Sequence, residues 1–193
     1  MTTTISKSLA AASPATLAVI RGIDDAQLQA PTPCTEYTVR DLLNHMFLVV
    51  VNFQALAARQ PADFSSTPDR VTDGWRDRFA QETARLIDAW SDPAALEGTS
   101  PVMGMPQPVV GGMVLLDLTV HGWDLARATG QEFTPDPAVV SELLALGEQL
   151  APQARQMKVF GEPVAVPSDA GEFDRLLGLT GRDPGWSPSS ASA

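Results

Sequence analysis

From Val39 the apolar positions run 39, 42, 43, 46, 49, 50, 53, 56 and 57. Steps of three and four place them on one stripe of a helix, so the spacing predicts a helix over 38–59. Thr38 stands where an N-cap belongs, and Asp41 puts an acid in the first turn. Weaker versions of the same period recur. Ile5, Leu9, Ala12, Thr16 and Ile20 continue a stripe through Pro14, which reads as one kinked helix over 5–21. Val71, Trp75, Phe79, Leu86 and Trp90 anchor a helix over 71–90. A helix over 109–128 stops at Gly130. Asp136-Pro137 opens another that reaches Leu150. Between them, 22–37, with two prolines in three residues, reads as an ordered connection, 60–70 as a polar loop, and 91–108 as a loop rich in Pro, Gly and Ser. After Met157 the pattern changes. Residues 157–167 read as one or two short extended pieces and 168–179 as a short helix packing Phe173, Leu176 and Leu177.

The stretch 115–130, LLDLTVHGWDLARATG, breaks its own pattern. Val110, Met113, Val114, Val120 and Leu125 share a broad helix face, and Asp117, His121 and Asp124 fall in the middle of it. Charged groups turned toward a core need partners, because an unpaired buried charge costs several kcal/mol. Asp117 and His121 are four residues apart, roughly 6 Å along a helix axis, so both can reach one ion. The only other histidine, His45, sits on the flank of the 38–59 stripe, where a residue lining a pocket between helices would lie. Two histidines and a carboxylate suit zinc with one coordination position open, or Fe(II), or nickel. The plainer alternative is a helix-surface pair at Asp117 and His121 with His45 as a satisfied core histidine. Asp124, one turn on, reads as a group orienting an imidazole, an acid/base group, or the partner of Arg127. Cys34 has no histidine near it in sequence and reads as a structural cysteine. Trp123, Met103 and Met105 read as packing.

Composition narrows the field. The chain has 193 residues, enough for one domain with a small appendage. We divide it into a bundle over 1–152, an extension over 153–186 and a disordered tail over 187–193. With 23 acidic and 13 basic residues the net charge is −10, which opposes a nucleic-acid or anionic-membrane partner. No continuous run of about 18 apolar residues marks a membrane span. The N-terminus makes a poor signal peptide, and a single cysteine fits the cytoplasm. A glycine-rich phosphate loop, G-x-S-x-G and C-x-x-C are all missing from the sequence.

TPCTEYTVRDLLNHM (32–46) and DLTVHGWDLARATG (117–130) together resemble the two signatures of the mycothiol-dependent maleylpyruvate isomerase N-terminal family, a branch of the DinB-like metal-binding bundles. The tail, 160–186, resembles that of a short subgroup of the family. The resemblance implies a mainly α, DinB-like four-helix bundle with a short C-terminal extension. It implies a divalent metal, zinc foremost, held by His45, Asp117 and His121. Two departures stand out: Asp117 occupies a position where the isomerase has glutamate, and the tail is far shorter than the isomerase's second α/β domain.

The expected function is therefore that of a metal-dependent enzyme. A low-molecular-weight thiol, mycothiol, would bind at the open metal position for transfer to, or isomerisation of, a small electrophile. A hydrolase using metal-activated water and a non-catalytic binding bundle are the rivals. The expected partners are a small thiol and an electrophilic substrate, with the protein a monomer or homodimer.

Overall fold

The computed structural model describes residues 2–188, so the expected tail lies outside the described residues from 189 onward. Among the described residues six α-helices carry the fold: α1 (Thr4–Gly22), α2 (Val39–Ala57), α3 (Trp75–Ala89), α4 (Gln107–Thr129), α5 (Pro137–Gln156) and α6 (Glu172–Leu179). Among the described residues there is no sheet, only two isolated bridges, Pro31–Thr38 and Thr99–Pro106. The architecture is the expected helical bundle. α1 and α2 each pack against both α3 and α4, α5 lies against α4 and α1, and α6 docks on α5.

The local reasons are largely those visible in the residues. α1 is one helix with Pro14 inside it. Thr38 and Asp41 close a reciprocal capping box at the start of α2. Gly130 ends α4 at φ 69, a left-handed turn that a Cβ would oppose. Asp136 accepts hydrogen bonds from the amides of Ala138 and Val139 to open α5.

Three boundaries differ from expectation. α3 begins at Trp75, not residue 71, because Gly74 at φ 72 turns the chain immediately before it; Val71 is buried from the preceding loop. α5 continues to Gln156 through Pro152. Residues 157–167 form no strand; amide bonds from Val164 N–H to the Gly178 carbonyl and from Gly161 N–H to the Thr180 carbonyl tie that segment to α6 and its C-cap.

α4 is the central helix. By length and composition it is apolar enough to cross a membrane, which inspection for an unbroken apolar run did not reveal. Yet 83% of its most apolar 18-residue stretch is buried inside the protein. Its apolar character on nearly every side is explained by neighbours on nearly every side.

Candidate metal centre

α2 and α4 pack directly, and His45 meets Asp117 across that seam. His45 Nε2 lies 3.3 Å from Asp117 Oδ2, and His121 Nε2 lies 3.7 Å from the same oxygen. The two imidazoles meet edge to face, with centroids 5.0 Å apart. One ligand atom from each of the three residues lies within 4.8 Å of the others. The residues singled out from spacing alone thus come together at one place. Solvent reaches it along the side chains of His45 and Asp117, which are 24% and 23% exposed.

Asp124 is fully buried and directs His121. Its Oδ2 lies 2.7 Å from His121 Nδ1. A carboxylate at this distance accepts, so Nδ1 carries a hydrogen toward Asp124, and Nε2 faces Asp117. An imidazole nitrogen and a carboxylate oxygen thus face each other at 3.7 Å. A proton on the nitrogen or a cation between the two atoms satisfies both. The donor set is two nitrogens and one oxygen, with no lysine or arginine among the described residues within ion-pair distance of Asp117, and it fits a divalent metal with one position left open. Tying the far nitrogen of a ligating histidine to a carboxylate is how such rings are commonly fixed.

Charge sets the protonation of the cluster. Burial would raise the Asp117 pKa, but the two imidazoles outweigh it and hold the carboxyl below its ordinary value. Burial would lower that of His45, but the charge of Asp117 and its hydrogen bond outweigh burial and raise it. Asp124 is held low against its own burial by Arg182 and His121.

Arg182 was not anticipated from the sequence. It reaches back from the segment after α6 and places Nη2 3.1 Å from Asp124 Oδ2 and 3.5 Å from His121 Nδ1. The expected alternative partner of Asp124, Arg127, instead donates to the Trp186 carbonyl at 2.6 and 3.1 Å. Cys34 was read as structural, yet its sulfur belongs to a second ligand-like set with His121 and Asp124. It is only half-buried, and burial raises its thiol pKa to about 11. Tyr37, also not anticipated, stacks on His45 with centroids 5.4 Å apart. No local signal marks these residues. The 22–37 connection that carries Cys34 and Tyr37 did read as ordered, through its prolines. Trp123 is core, and Met103 and Met105 pack against it, as expected.

The profile of the mycothiol maleylpyruvate isomerase N-terminal domain matches residues 9–126, a span that holds His45, Asp117, His121 and Asp124. The chain belongs to this family. Two uncharacterised proteins of Mycobacterium tuberculosis, from strains CDC 1551 / Oshkosh and ATCC 25618 / H37Rv, are similar to it. Each is 31% identical over 169 residues, covering 86% of this chain and 90% of its own. No solved structure matches the chain. Arg182 lies beyond the stretch that matches the isomerase N-terminal domain, so the match does not cover every residue of the cluster.

Proposed function

We propose that this protein is a metal-dependent enzyme in which His45, Asp117 and His121 hold a divalent cation, zinc foremost, with one coordination position open to a low-molecular-weight thiol such as mycothiol. The observation that carries the reading is the convergence of His45 Nε2 and His121 Nε2 on Asp117 Oδ2, at 3.3 and 3.7 Å. A divalent cation there would lower the pKa of a bound thiol and keep it as the nucleophilic thiolate.

The chain's own residues supply the rest. Asp124 keeps the His121 proton on Nδ1, so that Nε2 offers its lone pair. Arg182 balances the charge of Asp124. Tyr37 stacks on His45 and holds that ring against α2. The partly open edge formed by His45 and Asp117 gives a small electrophile a way in. Transfer or isomerisation of that electrophile is the reaction class we assign, with the isomerase as the model within the family.

The test is reconstitution. Protein loaded with zinc should turn over a thiol with some member of a panel of small electrophiles. His121→Ala should bind no stoichiometric zinc and show no turnover. Turnover that needs no added thiol would instead favour metal-activated water. Absence of stoichiometric zinc in the unaltered protein would defeat the reading.

A further inference from the structure

A second polar site lies where α2 meets α3 rather than α4. A cavity of about 210 Å³ opens there, lined by Phe47 from α2, by Arg78 and Glu82 from α3, and by Asp69, Arg70 and Thr72 from the loop that joins the two helices. Phe47 is buried and meets Phe79 edge to face, so this wall is fixed by the core. The loop is fixed by its polar groups. Asn44 Oδ1 accepts from the Arg70 amide at 2.7 Å, and Asn44 Nδ2 donates to Asp69 Oδ1 at 3.1 Å. Arg40 donates to Asp69 Oδ2 at 2.6 Å and to the Val71 carbonyl at 2.9 Å. Arg78 gathers the carbonyls of Arg70, Thr72 and Asp73 and reaches the Thr72 hydroxyl oxygen at 2.7 Å.

One group is left over. Among the described residues the Arg70 side chain makes no hydrogen bond and no ion pair, and its Nε is buried without an acceptor. An exposed arginine is satisfied by water, but a buried N–H with no acceptor costs free energy. Two carboxylates line the same cavity, and neither answers Arg70. Asp69 is taken by Arg40 and Asn44, which hold its carboxyl below its ordinary value. Glu82 lies 2.7 Å from Arg85 Nη1 and accepts from Gln54 Nε2 at 2.9 Å. Each acid is thus paired with an arginine outside the cavity. Arg78 meets only uncharged oxygens. The cavity therefore carries two guanidinium charges with no carboxylate of the described residues to balance them.

We infer that this cavity binds a small oxyanion, a phosphate or carboxylate group, that pairs with the Arg70 guanidinium beside Arg78 and Thr72. Two parallel N–H groups of a guanidinium match two oxygens of such a group, and Nε–H is one of them. The Thr72 hydroxyl accepts from Arg78, so its own hydrogen is free to serve as a further donor. The size sets the class of ligand. Pockets for drug-sized molecules begin at about 300 Å³, so this one suits an anion of few atoms rather than a nucleotide. The site is independent of the metal reading, because none of its lining residues belongs to the His45, Asp117 and His121 cluster.

The experiment is nitrogen-15 NMR of the Arg70 Nε–H group in the full chain, assigned by its loss in Arg70→Gln. Sodium phosphate and sodium acetate are added in separate titrations, with ionic strength held constant by chloride. We expect the Arg70 signal to shift and saturate with at least one of the two anions, and calorimetry to show binding that weakens about ten-fold or more in Arg70→Gln. Saturation by phosphate alone assigns a phosphate group, by acetate alone a carboxylate, and by both an oxyanion of either kind. No saturable shift with either anion overturns the site. Binding that keeps its full strength in Arg70→Gln and is lost in His121→Ala belongs to the metal centre and overturns it too. The Arg70 side chain has no protein partner to lose, so Arg70→Gln should leave the urea midpoint unchanged. The titration of the unaltered chain decides the matter even if it does not.

Discussion

A thiol half-buried beside two carboxylates behaves unlike a free one. Burial, more than any neighbour, pushes the Cys34 pKa to about 11; Asp124 and Asp117 add to it while Arg182 opposes. In the metal-free protein, iodoacetamide should therefore label Cys34 at neutral pH about a hundred-fold or more slowly than an unfolded-chain thiol of pKa about 8.5. The rate should climb toward a plateau near pH 11. The sign for stability follows. Between about 8.5 and the folded value the unfolded chain has released this proton and the folded chain has not, so this group's contribution is complete below that window and declines as pH rises through it. Mass-spectrometric labelling rates against pH check the prediction, and an unfolded-like rate at pH 7 would contradict it. The place of Cys34 beside His121 could not be read from the sequence, because its neighbours there say nothing of His121, 87 positions further along. The convergence of His45, Asp117 and His121 could be anticipated because these polar groups sat on or beside faces whose apolar period marked them as turned toward the core.

At the scale of elements, periodicity located the helices and failed where backbone geometry decided the ends. The α2 stripe and its Thr38 cap stood out because packing and capping agree there. The start of α3 did not, since a helical stripe continues back to Val71 and only the left-handed Gly74 interrupts it. What no pattern revealed is how closely α4 is approached. A Cβ built on Gly122 would stand 2.5 Å from Thr16 Oγ1 and 3.0 Å from a Phe133 ring carbon. The Thr16 hydroxyl cannot simply turn away, because it donates to the Leu118 carbonyl at 3.0 Å and is fully buried. Gly122 thus sets the spacing of α1 against α4, one residue after His121. Gly122→Ala should destabilise the fold by about 1–3 kcal/mol through overpacking. The measure is a lower urea midpoint with an unchanged slope. An unchanged midpoint would show that α1 shifts freely, and the close approach would then have no structural role.

On the scale of the whole molecule, the segment after α6 ties the last part of the chain to the centre of the bundle. Arg182 pairs with Asp124, Arg127 with the Trp186 carbonyl, and Arg155 donates to the Leu179 carbonyl at 3.0 Å. Surface ion pairs are worth little, but this one joins a fully buried carboxylate to a nearly buried guanidinium. Removing one partner strands the other in a medium that solvates it poorly. Arg182→Met should therefore cost about 3–5 kcal/mol in metal-free urea unfolding. Asp124→Asn should cost a comparable amount, for it strands the cation instead. Combining them removes both charges, and the side-chain amide introduced by Asp124→Asn keeps a carbonyl oxygen able to accept from His121 Nδ1. The double variant should then be more stable than either single one, recovering most of the loss, as coupled neighbours in a cycle do. Losses that simply add would mean that the two groups act independently, and that the tail lies over the bundle without supporting its centre. The cycle also separates two roles of Asp124. If the double variant regains stability but binds zinc about 10–100-fold more weakly than the unaltered protein, the carboxylate serves the His121 ring beyond its pairing with Arg182.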